Sequence, residues 1–358
     1  MESPLGQLRF GLIGFGSIGR VRAAALARTT GCALTAVFDM DAARRRDAPS
    51  GTIAFETADA MLSGDSCDVV VISTPPDSHA ALATTAMQNG KHVIVEKPIA
   101  GTIEAAQRML SAAEQNRRTL TVGFNHRYFK GVRRVKAAID GGEIGELRYV
   151  KAYAGHVGLP ELRSPWMYDR NVMGGGTLMD NGIHVIDLVR FLMGDVATVS
   201  ATLPAPIWNL GVEENAFIQL VGRNGVIGSM HASWTAWQGY KFRLEAYGTD
   251  GMAMMSYAPM YSSVVRVVRG PSLAKTTERN FYVRDIFREK ALGWQRTVID
   301  TFREEFTDFK AILENPAAST HIATAYDGAN AIAIAHAAYA SAATRQPVVP
   351  TVHAREVS

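Results

Sequence analysis

The sequence predicts an α/β protein of two domains, a doubly wound parallel sheet followed by an α/β domain with an open, mostly antiparallel sheet. Three observations support this prediction. Short apolar runs alternate with helical patterns over residues 7–123, longer strand-like runs with tight turns follow, and 358 residues suit about two domains. We expect the first domain at residues 1–124 and the second at 125–358, with a C-terminal helix that can pack back on the first.

The first half of the chain alternates strand-like and helix-like segments. Its apolar runs are LRFGLIG, LTAVFD, VVVIST, HVIVEK and LTVGF. Between them lie IGRVRAAALART, HAALATTAMQNG and IEAAQRMLSAAEQNR, in which apolar residues recur at spacings of three and four. Runs that are apolar on both faces and separated by helices indicate a parallel sheet covered by helices on both sides.

The second half has a different pattern. A predicted helix near 130–141 precedes the strand-like runs LRYVKAYAGHV, VATVSATLP, NAFIQLVGRNGVIGSMHASW and KFRLEAYGTDGMAMMSY. Asn224-Gly225 and Asp250-Gly251 are dipeptides that close hairpins, so these strands predict a mostly antiparallel sheet. The methionines of GMAMM are expected to pack a sheet or oligomer face. Two helical patterns, about 296–315 and 322–343, end the chain.

The composition indicates which kinds of partner and which cellular compartment to expect. Hydrophobic residues make up 47% of the chain and charged residues 20%, which suits a globular protein with a sizeable core, and the net charge is only +3. No block of like charges exceeds Arg44-Arg45-Arg46, so neither nucleic acid nor a membrane is an expected partner. No signal peptide or membrane-spanning run is predicted. The two cysteines, Cys32 and Cys67, argue against a disulfide scaffold or a cysteine zinc site and suit the cytoplasm, and no metal is expected.

A glycine-rich turn joins the first predicted strand to the first predicted helix. It matches the spacing G-x-G-x-x-G and reads Gly14-Phe15-Gly16-Ser17-Ile18-Gly19. In this context the first glycine permits the tight turn, the second lets the backbone approach a pyrophosphate, and the third lets helix and strand pack closely. The N-terminus of the helix then offers N–H groups to the phosphates. The turn therefore predicts a dinucleotide-binding site.

The acidic residue that ends the second predicted strand bears on which dinucleotide binds. Asp39 could accept hydrogen bonds from ribose hydroxyls and repel a 2′-phosphate, which favours NAD. It could also be no more than a turn residue at the strand end. The arginines at 44–46 could attract the extra phosphate of NADP, although a solvated helix face is the simpler interpretation. NAD is the predicted cofactor, and NADP is the alternative.

The segment HVIVEKPIAG, residues 92–101, ends an apolar run with a charged pair and a proline, Glu96-Lys97-Pro98. Lysine is rarely buried without a partner, so Lys97 either ends a strand in water or projects into a cleft. Open parallel sheets bind their ligands outside the carboxyl ends of the strands, which favours the cleft. Pro98 restricts Lys97 to extended backbone, and a cis Lys97–Pro98 bond is compatible with the sequence.

A second pair of polar residues lies in GGGTLMDNGIH. Asp180 and His184 are four residues apart, so a helix would place both on one face about one turn apart. Histidine has an ordinary pKa near ~6.5, which suits a group that takes up and releases protons. The preceding glycines, 174–176, would let this helix begin close to a cofactor and a substrate. His184 could instead be a half-buried structural histidine, with Asp187 as its structural partner.

Taken together, these segments resemble the Gfo/Idh/MocA oxidoreductase family. The resemblance extends over VISTPPDSHA, GKHVIVEKPIAGT, GFNHRY at 123–128, GGGTLMDNGIHVIDLVRFLMG at 174–194, ASWT, YGTDG and YASAATRQPV. The Glu96-Lys97-Pro98 triplet and the Asp-x-x-x-His segment are its specific parts, whereas many dehydrogenases share the glycine loop. The resemblance implies an N-terminal Rossmann domain and a C-terminal domain whose open sheet commonly builds a homodimer or homotetramer. It also implies that the substrates are sugars, sugar derivatives or cyclitols.

The resemblance implies roles for individual residues as well. His184 would be the acid/base group, Asp180 would bind a substrate hydroxyl or orient the catalytic side chains, and Lys97 would lie between nicotinamide and substrate. The expected cofactor-binding residues are Gly14, Phe15, Gly16, Ser17, Ile18, Gly19, Asp39, Thr74, Pro75, Pro76, His79, Glu96 and Lys97. The expected substrate-binding residues are Lys97, Asn125, Arg127, His156, Trp166, Asp180 and His184.

For several of these residues a structural role stays open. Asp77 or Ser78 could cap the next helix, and His79 could itself be structural. Residues 125–127 could form a hinge between the domains rather than contact a substrate. The wall of a substrate pocket or the core could equally account for Tyr153, His156, Trp166 and Asp169.

Three classes of function remain. The leading hypothesis is an NAD-dependent enzyme that transfers a hydride between NAD and a secondary alcohol or ketone of a sugar, sugar derivative or cyclitol, with Lys97 and His184 as the catalytic pair. The direction of the reaction is open. A hydrolase or lyase that oxidises a sugar transiently and expels a substituent is the second class. A non-catalytic NAD- or sugar-sensing protein is the third, because a fold alone does not establish a function.

Overall fold

The computed structural model describes residues 6–268, 270 and 273–351. The chain divides into two compact units, one comprising Met1–Tyr128 with Glu289–Ala329 and the other Phe129–Arg288 with Asn330–Ser358. The division after Tyr128 lies near the boundary at 124 that the sequence predicts. Residues 289–329 also belong to the first unit. The predicted outer limits, residues 1 and 358, lie outside the described residues.

The strands and helices are numbered here in chain order. The strands are β1 (Leu8–Ile13), β2 (Cys32–Phe38), β3 (Ile53–Ala54), β4 (Val69–Ile72), β5 (His92–Val95), β6 (Leu120–Val122), β7 (Leu147–Gly155), β8 (Val196–Thr202), β9 (Asn215–Gly222), β10 (Ile227–Ser233), β11 (Lys241–Gly248), β12 (Gly251–Tyr257), β13 (Tyr261–Val268), β14 (Ala274–Phe281) and β15 (Ala323–Thr324). The helices are α1 (Ser17–Leu26), α2 (Ala42–Arg46), α3 (Ala58–Ser63), α4 (His79–Gln88), α5 (Ile103–Gln115), α6 (Lys130–Asp140), α7 (Arg170–Met173), α8 (Ile183–Met193), α9 (Val283–Leu292), α10 (Gln295–Glu314) and α11 (Ala325–Thr344).

The first unit is built on a seven-stranded sheet in the order β15-β6-β5-β4-β1-β2-β3. Strands β1 to β6 pair in parallel, and β15 pairs antiparallel with β6. The central strand β4 is buried along its whole length, as expected for a parallel strand that helices cover on both faces. The strand order reverses at β1, between β2 and β4, and open sheets of this kind bind ligands at that point. The predicted doubly wound domain is confirmed.

Helix α10 completes the core of the first unit. It packs on α1 and adds Phe302, Phe306 and Phe309 to the apolar cluster that surrounds β1. The ring of Phe10 on β1 meets Phe306 edge-on, with 5.4 Å between the ring centroids. These aromatic contacts explain why residues far along the sequence belong to this unit.

The second unit is built on an eight-stranded sheet in the order β14-β13-β12-β11-β7-β10-β9-β8. Every neighbouring pair is antiparallel except β7 and β10, which are parallel. Helices α6 and α8 pack against one face of this sheet. Met255 belongs to that covered face, because a side chain at Gly131 of α6 would meet its Cβ at 2.8 Å. The predicted open, mostly antiparallel sheet is confirmed.

The two hairpins predicted from Asn224-Gly225 and Asp250-Gly251 join β9 to β10 and β11 to β12. The sequence patterns did not predict β13, β14 or α9. Strand β14 has the polar sequence AKTTERNF and lies at the sheet edge, where charged side chains replace the apolar alternation of a half-buried strand. Helix α9 has apolar residues at helical spacing, Val283, Ile286 and Phe287, but no residue of it is buried. Across the described parts of the chain, no helix is long and apolar enough to cross a membrane.

Candidate functional site

The glycine loop leaves room for a pyrophosphate at one glycine and not at the other two. Gly14 has φ +91° and a side chain there would meet the carbonyl oxygen of Ser73 at 2.7 Å, while a side chain at Gly19 would meet that of Gly14 at 2.0 Å. At Gly16 the nearest described atom would be a guanidinium nitrogen of Arg44, 3.5 Å away. No side chain caps the N-terminus of α1. Its first N–H groups are therefore available to phosphate oxygens, and the residues present fit a dinucleotide.

Asp39 lies directly after β2, and its carboxylate is bound by backbone groups on both oxygens. Oδ2 accepts from the N–H of Phe15 at 2.7 Å, and Oδ1 accepts from the N–H of Asp41 at 2.8 Å. A guanidinium nitrogen of Arg44 lies 3.7 Å from Oδ2. Asp39 thus joins the end of β2 to the glycine loop. Arg44, one of the three arginines that the sequence offered as partners for the extra phosphate of NADP, lies beside it.

Residues 74–79 lie where β4 ends, next to the glycine loop. The backbone nitrogen of Thr74 would be 3.0 Å from a side chain at Gly14. The ring of His79 is completely buried, and its two nitrogens lie at hydrogen-bonding distance from the carbonyl oxygens of Thr74 (2.9 Å) and Pro98 (3.0 Å). Burial lowers the pKa of His79. These contacts favour the structural role for His79, since both ring nitrogens face backbone carbonyls of its own unit.

The triplet at the end of β5 contains a cis bond between Lys97 and Pro98. The N–H of Glu96 continues the sheet by donating to the carbonyl of Ile72 on β4. The side chain of Glu96 then turns back, and its Oε2 accepts from the N–H of Lys97 at 3.2 Å. Lys97 itself is half-buried. Its backbone is therefore held at the carboxyl end of a central strand, beside β4.

Asn125 and Arg127, two expected substrate-binding residues, are buried within the first unit. The side-chain nitrogen of Asn125 donates to Oγ1 of Thr301 at 3.1 Å. The guanidinium of Arg127 lies 3.4 Å from a carboxylate oxygen of Asp327. These contacts are all internal to the unit, which favours a structural role for both side chains.

Asp180 lies in the second unit on a π-helical turn, Leu178–Gly182, that leads directly into α8. His184 is the second residue of α8, and both side chains are buried. The sequence predicted one regular helix over this segment. The π turn is the difference, and such turns are frequent at functional sites because they change which side chains share a face.

The carboxylate of Asp180 is held by two ring N–H groups. Its Oδ2 lies 3.0 Å from Nε2 of His156 and 3.0 Å from Nε1 of Trp234. Nη2 of Arg163 lies 2.9 Å from Nδ1 of His156. Because a guanidinium can only donate, Nδ1 accepts and the proton of His156 is on Nε2, where it donates to Asp180. Burial together with the charge of Asp180 raises the pKa of the nearby Tyr240.

The glycine run before this turn is explained by neighbours within the second unit. A side chain at Gly175 would meet the hydroxyl oxygen of Tyr339 at 1.9 Å, and one at Gly176 would meet the carbonyl oxygen of Glu213 at 2.1 Å. The carboxylate of Glu213 accepts from the N–H groups of Gly176 and Leu178 and from the Tyr339 hydroxyl. The sequence interpretation attributed this close approach to cofactor and substrate. The structure attributes it to an internal cap on the helical segment that carries Asp180 and His184.

The remaining predicted residues of this region have separate positions. Trp166 is half-exposed in a 3₁₀ turn, Pro165–Tyr168. Asp169 caps α7 by accepting from the N–H of Asn171. Tyr153 lies on the side of the sheet that α6 and α8 leave uncovered, with its ring 5.2 Å from that of His231. The structure therefore brings His156 to Asp180 but not Tyr153.

Several residues of these networks were not singled out from the sequence. Trp234 belongs to the ASWT segment, which contributed only to the resemblance. Glu213 and Tyr339 have no local signal, because each contacts a segment far away in the chain, and Arg163 was missed although it lies only seven residues from His156.

Two protein-family models match this chain, one in each unit. The family model "Oxidoreductase family, NAD-binding Rossmann fold" matches residues 8–124, and the model "GFO/IDH/MocA C-terminal domain" matches residues 132–254. An inositol 2-dehydrogenase from Rhizobium meliloti (strain 1021) is 28% identical over 348 residues, covering 95% of this chain and 98% of that protein. A 1,5-anhydro-D-fructose reductase from Ensifer adhaerens is 30% identical over 289 residues, covering 76% of this chain and 84% of that protein.

A solved structure shows the same fold. The levoglucosan dehydrogenase in complex with NADH and L-sorbose matches with a TM-score of 0.85 at 23% identity, covering 97% of this chain and 100% of that chain. The named relatives are dehydrogenases and reductases. The first matching model spans β1 to β6, and the second spans most of α6 and the strands from β7 to β12 up to residue 254. The chain therefore belongs to the GFO/IDH/MocA family of oxidoreductases, with an NAD-binding Rossmann domain in its N-terminal part.

Proposed function

We propose that this oxidoreductase transfers a hydride between NAD(H) and a secondary alcohol or ketone of a sugar, sugar derivative or cyclitol. The observation that carries the proposal is the buried Asp180, bound by His156 and Trp234 and followed four residues later by His184. The names of the relatives, an inositol 2-dehydrogenase and a 1,5-anhydro-D-fructose reductase, support this substrate class.

The proposed catalytic residues are Lys97, Asp180 and His184. Bound NAD supplies the hydride acceptor. In the oxidative direction, His184 takes the hydroxyl proton while the carbon gives up its hydride, and the alcohol becomes a ketone. The ammonium of Lys97 stabilises the negative charge that develops on the oxygen. Asp180 orients the substrate through a hydroxyl and is itself held in place by His156. Reduction of a ketone uses the same groups in reverse.

The proposed cofactor is NAD rather than NADP. Support comes from Asp39, whose carboxylate lies at the end of β2 beside the loop that fits the pyrophosphate. Its negative charge would oppose a 2′-phosphate. Proposed contacts of the cofactor also include the loop itself, residues 14–19, and the segment 74–76 at the end of β4. We assign His79 and Glu96 a supporting role through the contacts described above.

Substrate contacts are proposed for Lys97, Trp166, Asp180 and His184. His156 is proposed to support Asp180 rather than touch the substrate, because its two ring nitrogens bind Asp180 and Arg163. The half-exposed indole of Trp166 offers a ring face that a sugar or cyclitol could cover. Asn125 and Arg127 are proposed to support the first unit rather than touch the substrate, because their side chains are buried against Thr301 and Asp327.

We propose further that the uncovered face of the second sheet joins copies of this chain into a homodimer or homotetramer. That face carries exposed aromatic rings. Phe217 is 47% exposed and stacks on His231 at 4.0 Å, and Tyr149 stacks on Tyr247 at 4.4 Å. Exposed aromatic clusters of this kind are typical of protein interfaces. A cytoplasmic location is kept as part of the proposal, in line with two unpaired, buried cysteines.

A substrate panel tests the proposed function. The protein is incubated with NAD or NADP and a series of cyclitols, sugars and sugar derivatives, and the absorbance of the reduced nicotinamide is followed. Reduction of NAD by one group of polyols is expected. Release of a substituent without net NAD reduction would indicate the hydrolase or lyase class instead. Binding of NAD without turnover of any compound would indicate a sensing protein.

A further inference from the structure

We propose that Arg22 is a positioning residue for Lys97, acting through Glu96 and held in place by Glu305. The inference rests on the proposed function, since it assumes that Lys97 is the catalytic lysine. All four residues belong to the first unit, on α1, at the end of β5 and on α10. Nothing in the local sequence around any one of them indicates the network.

Arg22 is completely buried, and its guanidinium is bound on two sides. Nε donates to Oε1 of Glu96 at 2.6 Å, and Nη1 donates to Oε2 of Glu305 at 2.8 Å. The guanidinium carbon also lies 4.1 Å from the centroid of the Phe302 ring. Its planar fork is therefore fixed by two charge-assisted hydrogen bonds and one aromatic face. A guanidinium held in this way can determine where the carboxylate of Glu96 lies.

Glu96 transmits this position to the catalytic lysine. One carboxylate oxygen accepts from Arg22, and the other accepts from the backbone N–H of Lys97 at 3.2 Å. The N–H of Glu96 is held by the sheet through the carbonyl of Ile72 at 2.9 Å. The peptide on which Lys97 is mounted is thus fixed by the sheet and by the Glu96 carboxylate, and the latter depends on Arg22.

The guanidinium packs directly against a glycine. A side chain at Gly123 would meet Nη2 of Arg22 at 2.2 Å and the carboxylate oxygens of Glu96 at 3.4 Å. Gly123 opens the GFNHRY segment, so the absence of a side chain there makes room for the network. This explains a glycine that has no positive φ and closes no turn.

The charges show why Glu305 belongs to the network. One guanidinium faces two carboxylates, and burial raises the pKa of Glu305 to about 7 against the lowering effect of Arg22. Glu305 closes the second side of the guanidinium, while Glu96 binds the first at the shorter distance of 2.6 Å. A lysine at position 22 would keep the charge but could not bind both carboxylates in the same fork geometry.

The test compares Arg22→Lys with the parent enzyme on the best substrate from the panel. We expect kcat to fall by about tenfold or more, because displacement of a catalytic group by a fraction of an ångström is costly, with the Kd for NADH changed less than about twofold. Arg28→Lys is the matched control, in the turn directly after the same helix. Its guanidinium is exposed and bonds only locally, to the carbonyl of Ala24, so no change is expected.

A double-mutant cycle separates positioning from a general structural effect. In single-turnover measurements on the Lys97→Ala background, Arg22→Lys should change the remaining rate less than about twofold, because the group it positions is gone. An equal loss of rate in both backgrounds, or an unchanged kcat in the folded Arg22→Lys enzyme, would overturn the inference. If Lys97→Ala itself retains full activity, the proposed role of Lys97 fails, and that result is distinct from a silent Arg22→Lys beside an inactive Lys97→Ala.

Glu96→Gln provides a second variant in case Arg22→Lys does not fold. The amide retains the size and one acceptor oxygen of the carboxylate but loses the charge that binds Arg22. We expect a loss of about fivefold or more in kcat with unchanged NADH affinity. Weaker NADH binding at unchanged kcat would instead assign Glu96 to the cofactor and overturn the link to Lys97.

Discussion

Asp39 shows how much of the cofactor preference depends on one side chain. Its carboxylate is buried and accepts two backbone hydrogen bonds, from Phe15 and Asp41, which keep it at the end of β2. Arg44 lies near it and could in principle attract a 2′-phosphate. Because the positive charge of Arg44 is paired with the carboxylate of Asp39, less of it is available to a 2′-phosphate, and the site favours NAD over NADP.

Replacement of this carboxylate should relax the cofactor preference. For Asp39→Ala we expect the ratio of kcat/KM with NADP to kcat/KM with NAD to rise by about tenfold or more, since the like-charge repulsion is removed. Arg44→Ala, measured in parallel, should leave the ratio nearly unchanged. An unchanged ratio in Asp39→Ala would remove Asp39 from the ribose site.

At the level of elements, the segment that carries the proposed acid/base residues is held by a cap from a distant loop. Glu213 binds the N–H groups of Gly176 and Leu178, and Tyr339 of α11 donates to the same carboxylate. Burial raises the pKa of Glu213. The glycine run thus packs against this cap, which fixes where the π turn with Asp180 begins.

Removal of the cap should affect stability and turnover together. For Glu213→Ala we expect the free energy of unfolding to fall by about 1–3 kcal/mol, because three donors in the interior lose their acceptor. Thermal denaturation and kcat are the measurements, and kcat should fall while NADH affinity is retained. Glu146→Ala, an exposed glutamate that pairs with Arg148, serves as control. Unchanged stability and kcat in Glu213→Ala would contradict the assignment of a cap.

The sequence predicted strongly patterned elements and local motifs better than long-range contacts. The parallel strands, the hairpins at Asn224 and Asp250 and the terminal helices have local apolar periodicity or turn residues, and the structure contains them. Strand β14 lacks such a pattern because it lies at the sheet edge, whereas helix α9 was missed although Val283, Ile286 and Phe287 recur at helical spacing. Arg22 and Glu305, which lie behind Glu96, were missed because the hydrogen bond between them joins residues 283 positions apart.

At the scale of the whole molecule, buried charge makes stability depend on pH. Burial raises the pKa of Glu305 from an ordinary value of 4.5 to about 7, and Arg22, Glu96 and Asp308 are the charged groups around it. Between these pH values the folded protein holds a proton that the unfolded chain has released. Stability contributed by this group is therefore complete below about pH 4.5 and is lost as the pH rises to about 7. The lowered pKa of His79 acts with the opposite sign.

The variant Glu305→Gln isolates this contribution. Because glutamine does not titrate, the difference in the free energy of unfolding between variant and parent should shift in favour of the variant from pH 4.5 to 7, by at most about 3 kcal/mol. Chemical denaturation at several pH values within this window measures the difference. Glu314→Gln, an exposed position on the same helix, should give a constant difference. A constant difference for Glu305→Gln would show that its pKa is not raised.

The most direct test of the proposed chemistry is the rate of hydride transfer in Lys97→Ala. We expect kcat to fall by a factor on the order of 10²–10⁴, with NADH affinity nearly intact, because the variant loses the charge beside the developing alkoxide. Lys290→Ala, which alters an exposed lysine, should behave like the parent. A Lys97→Ala enzyme that transfers hydride at the parent rate would contradict the proposed site.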